Sequence, residues 1–427
     1  MKQKDSTIEE LNRNGLAASK AAKALAGLSS VERTEALHNI SDGLESGQKS
    51  ILAANKEDVE AGRRQGLSDA LLDRLLLSPE RLQGIASDVR NIAALPDPLG
   101  EMIEMRTLPN RLQVGRKRVP LGVIGAIYES RPNITVDIAA LCIKSGNGCL
   151  LRGGKEAIKS NTVLSEVLRS SLSKANVPRD AVQLIKSTDR KLVDHMLSMK
   201  ETIDLLIPRG GSDLIKFVAD KAAMPVITGG IGVCHIYVDE IADLEKAVPI
   251  IQNAKVQRPT VCNAMDTLLI HQKVAPLYLP RIAEALSRDG VELRCDPRAL
   301  AILEPSSSPT IIPAVPTDWG MEFLSLKAAV RVVDGVNEAV AHIETYGSGH
   351  TEAIVTEDYS TGMHFLNEVD AAVVMVNAST RFTDGAQFGL GAEVGISTQK
   401  FHARGPMGLR ELTSYKWIVL GDGQTRT

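Results

Sequence analysis

Cys262 lies in the polar stretch Asn253-Ala254-Lys255-Val256-Gln257-Arg258-Pro259-Thr260-Val261-Cys262-Asn263-Ala264. A thiolate is a strong nucleophile, and nearby cations favour it over the thiol, whose unperturbed pKa is about 8.5. Lys255 and Arg258 are close enough in sequence to act that way. Most cysteines are instead small buried hydrophobes. Cys142, Cys149 and Cys234 sit in apolar runs and fit that description, while Cys295, beside Arg294 at an expected strand end, is intermediate. Local pattern therefore singles out Cys262 as the candidate nucleophile.

Three other stretches suit an anionic or dinucleotide ligand. In Val119-Pro120-Leu121-Gly122-Val123-Ile124-Gly125-Ala126-Ile127-Tyr128-Glu129-Ser130-Arg131-Pro132-Asn133, glycines open a buried strand and polar residues follow at its carboxyl end. Ligands bind there in open α/β sheets, although a tight turn capped by Asn133 would read the same. Arg152-Gly153-Gly154-Lys155 places two glycines between two cations directly before a helix, an arrangement suited to phosphate. Pro208-Arg209-Gly210-Gly211-Ser212 repeats it at the next strand-to-helix junction. Solvated turns with surface cations are the alternative for both. Neither contains GxGxxG, so the ordinary dinucleotide fingerprint is absent.

The elements that must position these residues alternate. The first hundred residues are helical in pattern, with Ser6-x-x-Glu9 and Ser29-x-x-Glu32 as candidate capping boxes and Ser78-Pro79 opening a further helix. Residues 108–119 read as a protruding β-hairpin turning at Asn110-Arg111, and its free edge suits pairing with another subunit. Apolar strands at 122–128, 148–151, 182–185, 203–207 and 225–227 then alternate with helices near 135–144, 156–174, 191–197 and 212–220. That order implies βαβ units on a parallel sheet. A second alternating set starts at Cys234–Asp239 and runs on to Ala371–Asn377, so Cys262 belongs to a second α/β domain.

The totals agree. A chain of 427 residues exceeds what one core usually supports. Its formal charge of −3 and aromatic content of 3% give no basic field or stacking surface for nucleic acid. An odd count of five cysteines without CxxC suggests free thiols in a reducing compartment and no zinc site. The polar start and the interrupted apolar runs predict neither a secretory signal nor a membrane span, hence a cytoplasmic protein.

Taken together, Tyr128–Asn133 (YESRPN), Lys144–Ala157 (KSGNGCLLRGGKEA), Asn253–Asn263 (NAKVQRPTVCN) and Gly389–Gly408 (GLGAEVGISTQKFHARGPMG) resemble the aldehyde dehydrogenase superfamily. Within it the chain resembles the branch that reduces γ-glutamyl phosphate, over essentially its whole length. The resemblance implies two parallel-sheet α/β domains plus a small β oligomerisation element. It places an NADP-binding domain at 1–106 and 120–233 and a catalytic domain carrying Cys262 at 234–376. Residues 107–119 and 377–427 then form an oligomerisation hairpin and C-terminal segment, with a strand near 414–419, so that a homo-oligomer is expected.

By position in that pattern, Cys262 is the catalytic thiol and Asn133 supplies an oxyanion-hole amide. Arg152 replaces a lysine that contacts the adenosine ribose. Lys155 stands where NAD-preferring relatives carry a glutamate, so that a cation there points to NADP. Gly211 and Ser212 open the pyrophosphate-facing helix, and Glu322 matches a glutamate at the nicotinamide-side ribose. Arg258, Arg381, His402 and Arg404 are candidates for the substrate's carboxylate and phosphate, with structural ion pairs as the alternative for each.

The glutamate that activates water in hydrolytic relatives is replaced by Ile227, before Thr228-Gly229-Gly230. That absence fits an enzyme that exchanges its thioester with phosphate. Thr260 and Ser325 depart from the subfamily, which more often has glycine or serine at the first and aspartate at the second. The expected reaction is NADPH-dependent reduction of L-glutamyl 5-phosphate to glutamate 5-semialdehyde, the second step of proline biosynthesis. Functional coupling to a glutamate 5-kinase follows from that chemistry. Another acyl phosphate or an acyl-CoA is the alternative substrate.

Overall fold

A computed structural model describes the chain except residues 1, 230, 304–309 and 427, and leaves the side chains of 2–6 and 70 undescribed. Its residues divide into two compact units, 1–228 with 389–394 and 407–427, and 229–388 with 395–406.

The first unit opens on helices α1 (Lys2–Leu25), α2 (Ser30–Ser46), α3 (Gln48–Arg64), α4 (Asp69–Leu75) and α5 (Pro79–Ala94). Ser29 and Glu32 close the expected capping box on α2, and Ser78 caps α5 with Pro79 in its first turn. The box expected at Ser6 does not start a helix, because α1 already runs through that position; its side chain lies outside the described residues.

Next come β1 (Met102–Thr107) and β2 (Gln113–Pro120), then β3 (Val123–Tyr128), α6 (Asn133–Lys144), β4 (Gly148–Gly153) and α7 (Ile158–Lys174). They are followed by β5 (Val182–Leu184), α8 (Lys191–Met196), β6 (Leu205–Arg209) and α9 (Ser212–Lys221). The parallel sheet has the order β5-β4-β3-β6. Every residue of β3 is buried, as a strand covered on both faces requires. The stretch 225–227, expected as a strand, reaches the sheet only through a single bridge between Leu206 and Val226. The strand expected at 203–207 begins at Leu205, after a turn at 201–202 and a bend at Asp204, whose N–H donates to Val123 O.

The second unit contains β7 (Cys234–Val238), α10 (Leu244–Val256), β8 (Met265–His271), α11 (Ala275–Arg288), β9 (Glu292–Cys295) and α12 (Pro297–Leu303). It continues through β10 (Ile311–Pro313), β11 (Lys327–Val333), α13 (Val336–Tyr346), β12 (Thr351–Val355), α14 (Tyr359–Glu368) and β13 (Val373–Val376). The seven strands pair in parallel in the order β10-β9-β11-β8-β7-β12-β13. The residues 377–388 and 395–406 also fold here, the latter as a short antiparallel ribbon of β14 (Ile396–Ser397) and β15 (Gly405–Pro406). The last strand, β16 (Thr413–Leu420), returns to the first unit and pairs antiparallel with β2 along its length. The hairpin read from sequence is thus the β1–β2 turn of a three-stranded sheet β1-β2-β16, and Arg111 takes its tight bend with φ +66°.

Candidate active site

In the second unit Cys262 sits in the turn between α10 and β8, partly exposed, while Cys142, Cys149, Cys234 and Cys295 are buried. The loop is held by its backbone. The Cys234 thiol donates to Cys262 O at 3.2 Å. Burial, with the nearby carboxylates of Glu352 and Asp266, pushes Cys234 well above the ordinary thiol range, which keeps the proton on this donor. A side chain at Gly232 would overlap the Cys262 carbonyl and crowd its Cα, so only glycine lets the two backbones meet. Gly229 likewise faces the backbone of Ile396 too closely for a Cβ.

Asn263 locks the other side of Cys262. Its Nδ2 donates to Thr383 O at 2.9 Å, and Thr380 Oγ1 donates to Asn263 O at 2.7 Å. Arg381 donates through Nη1 to Asn263 Oδ1 and through Nε to Gln257 Oε1 at 3.0 Å, so it spans the loop on both sides of Cys262. Burial and the Arg258 charge lower the Arg381 pKa, while Asp384 and Cys262 oppose them. Arg258 is exposed, as is Thr260 in the same turn.

Lys255, the other cation near Cys262 in sequence, is turned to a carboxylate. It is fully buried and pairs with Asp266 at 3.2 Å. Burial drives both groups toward their neutral forms, with Asp266 raised to about 6. Asp266 also accepts from Phe323 N at 3.1 Å. The neighbouring Glu322 accepts from Gly232 N at 3.0 Å, and burial raises its carboxyl. Glu322 therefore meets the same glycine that abuts Cys262. Ser325 Oγ donates locally to Phe323 O.

His402 and Arg404 lie on the ribbon between β14 and β15, both exposed, with His402 at φ +74°. Arg404 pairs with Asp370 at 2.8 Å, and Lys400 pairs with the same carboxylate. The two cations hold Asp370 below the usual carboxylate range. This anchor is separate from the Asn263–Gln257 anchor of Arg381.

In the first unit the segment after β3 is tightly held. Ser130 has φ +46° and donates both its N–H, at 2.6 Å, and its Oγ–H, at 2.9 Å, to Glu156 Oε1. A non-glycine residue in that region is strained and persists only where its surroundings enforce it. Asn133 opens α6 and donates to Asp137 Oδ2 at 2.8 Å.

Arg152, the penultimate residue of β4, has its Nε buried and without a partner among the described residues. Lys155 is exposed, whereas Glu156 turns inward to Ser130. Gly211 and Ser212 are exposed at the start of α9, and Gly211 N donates to Glu129 Oε2 at 3.3 Å. That amide is thus engaged by a carboxylate of the protein itself. The Arg152 nitrogen, the outward Lys155 and the start of α9 are the polar groups of this unit that could hold a nicotinamide cofactor.

Ile227 is buried, and its N–H is taken by Leu206 O. Gly230 of the adjoining Gly-Gly pair lies outside the described residues. Among the described residues no cluster of histidine, cysteine, aspartate or glutamate could hold a metal ion, and no helix is long and apolar enough to cross a membrane.

Sequence reading overlooked Cys234, Gly232, Asn263, Glu129 and Glu156. The apolar setting of Cys234 disguised a hydrogen-bond donor. The others act through contacts distant in sequence, apart from Asn263, whose adjacency to Cys262 was a usable signal.

The profile of the aldehyde dehydrogenase family matches residues 1–297. A γ-glutamyl phosphate reductase of Dehalococcoides mccartyi strain CBDB1 is 56% identical over 422 residues, 99% of this chain and all of that one. The γ-glutamyl phosphate reductase of Moorella thermoacetica is 53% identical, covering 98% of this chain and 99% of that one. The crystal structure of γ-glutamyl phosphate reductase from Thermotoga maritima superposes with TM-score 0.95 at 47% identity, over 98% of this chain and 100% of that one. An acetylating aldehyde dehydrogenase from Geobacillus thermoglucosidasius, 18% identical with TM-score 0.71 over 99% and 98% of the two chains, shares the fold.

Proposed function

The chain belongs to the aldehyde dehydrogenase family, as an oxidoreductase of its γ-glutamyl phosphate reductase branch, and on that premise we propose that it reduces L-glutamyl 5-phosphate to glutamate 5-semialdehyde with NADPH. The observation that carries the reading is the partly exposed Cys262 in a turn held from both flanks, within a chain so close to reductases of that name.

In this reading the Cys262 thiolate attacks the acyl carbon. Phosphate leaves with the electron pair of the C–O bond, and a thioester remains on Cys262. Asn133 serves the oxyanion, by its place in the family pattern; losing such a donor typically costs about 100- to 1,000-fold in rate. Bound NADPH would supply the hydride that converts the thioester to a thiohemiacetal. Collapse of that adduct returns the Cys262 thiolate and frees the aldehyde.

Arg152, Lys155, Gly211, Ser212 and Glu322 are assigned to the cofactor, and the outward position of Lys155 beside the inward Glu156 supports NADP over NAD. Arg258, Arg381, His402 and Arg404 remain the candidate substrate cations. The contacts of Arg381 favour holding the loop, with only its remaining donors free for substrate. Ile227 offers no base to water. An NADP-binding domain and a catalytic domain, a homo-oligomer formed through the β1–β2 region and β16, a cytoplasmic setting and coupling to a glutamate 5-kinase belong to the same reading.

The test is phosphate-dependent reduction of NADP by glutamate 5-semialdehyde. Activity that needs phosphate and is lost in Cys262→Ser is the expected result. Turnover that requires coenzyme A instead, or that survives Cys262→Ser, would overturn the reading.

A further inference from the structure

Asp137 follows Asn133 by one helical turn on α6 and accepts a hydrogen bond from Asn133 Nδ2 at 2.8 Å. We propose that Asp137 is a positioning residue for the reaction, selecting the orientation in which the Asn133 side chain presents N–H, not its oxygen, to the oxyanion. The proposal rests on the reading of Asn133 as an oxyanion donor.

The physical reason lies in the symmetry of the amide. A primary amide turned by 180° exchanges its two N–H donors for a carbonyl acceptor at almost no change in shape. An oxyanion needs the donor and is repelled by the acceptor. An ionised carboxylate can only accept, so beside Asp137 the amide must turn its NH2 toward Oδ2. One N–H is then held by Asp137 and the second is left for another acceptor. Preorganised donors are worth more than mobile ones because no reorganisation is needed as charge develops. Asn133 lies in the first turn of α6, where no preceding turn confines its side chain, so a partner at i+4 is the natural restraint.

The charge state of Asp137 bears on the device. Although the residue keeps partial solvent access, burial pushes its carboxyl up to about 7. The carboxylate of Asp88 on α5 adds to the shift, whereas the hydrogen bond from Asn133 and the Arg209 guanidinium at the end of β6 oppose it. Asp88 is itself raised by burial. Once protonated, Asp137 gains an O–H donor that the Asn133 oxygen can accept, and the selection between amide orientations is lost.

A double-mutant cycle on the full-length enzyme tests this, with kcat and KM measured in the phosphate-dependent direction. Asn133→Ala should lower kcat by about 100- to 1,000-fold. Asp137→Ala and the nearly isosteric Asp137→Asn should each lower kcat by roughly 10-fold or more, with KM for phosphate changed less than about two-fold. In the Asn133→Ala background either Asp137 substitution should change kcat no further. The acid limb of the wild-type pH profile near neutrality should shift or vanish in Asp137→Asn, whose circular dichroism and melting confirm the fold. Losses that multiply in the double variants, or an unchanged pH profile, would overturn the role of Asp137 while leaving Asn133 intact. An Asn133→Ala enzyme of full activity would instead strike the oxyanion reading, and the proposal with it.

Discussion

The Cys234 thiol donates to the carbonyl oxygen of Cys262 across 3.2 Å, so one cysteine orients the backbone of another. Replacing Cys234 by valine keeps the approximate volume and removes the donor. A lost hydrogen bond of this kind costs about 1 kcal/mol, or roughly 5- to 10-fold. Cys234→Val should therefore lower kcat by about that factor, with KM little altered. Slower alkylation of Cys262 by iodoacetamide, followed by peptide mapping, should accompany it.

Gly232, just before β7, packs tightly against the same turn: an added Cβ there would meet the backbone of Cys262, which cannot rotate away as a side chain could. Gly232→Ala should destabilise the enzyme by about 1–3 kcal/mol, the usual range for overpacking. Because the displaced atoms belong to the nucleophile's own residue, kcat should fall by more than about 100-fold in enzyme that remains folded. Thermal melting and steady-state kinetics on the same preparation check both parts.

Lys155 faces solvent, while its neighbour Glu156 is committed to Ser130. Lys155→Glu should exchange a group suited to a 2′-phosphate for one suited to ribose hydroxyls. The ratio of kcat/KM for NADP to that for NAD should drop by roughly 100-fold, an energy of about 2.7 kcal/mol. A ratio that does not move would remove Lys155 from the cofactor assignment.

His342 on α13 is buried, packs edge-on against His235 and Trp319, and meets Arg331 at 3.1 Å through Nδ1. Burial, helped by His235 and Arg331, lowers it to about 3 from an ordinary 6.5. The folded protein thus keeps His342 neutral down to about pH 3, whereas the unfolded chain takes a proton near 6.5. The unfolded state binds more protons in that window, so this residue's contribution to stability falls as pH drops from 6.5 toward 3. The raised carboxyls of Asp137 and Asp266 act in the opposite sense, so the test compares a variant with the wild type at each pH. His342→Gln should gain on the wild type by roughly 2–5 °C in Tm between pH 7.5 and pH 5. A constant gap between the two would contradict it.

The sequence by itself determined the class of the fold and singled out the candidate nucleophile. Alternating apolar strands and helices can bury their faces only as βαβ layers, and Cys262 stood in a polar turn while three other cysteines stood in apolar runs. Capping at Ser29 and Ser78 was equally legible, because a cap depends on residues only three positions apart. Asn133 and Lys155 were singled out as candidates by their place in a family pattern, and Asp137, one turn from Asn133, was there to be noticed.

Tertiary structure decided which polar residues are available for chemistry. Lys255 looked like a cation beside the thiol, but helix α10 turns it inward to Asp266. Arg381 read from sequence equally as a substrate cation or a structural contact, and its contacts close on Gln257 and Asn263, more than a hundred residues away in sequence. Cys234 looked like inert packing until β7 brought its thiol to the Cys262 carbonyl. Periodicity and capping are local and repeat along the chain, whereas a hydrogen bond between distant segments depends on the register and closure of the whole sheet.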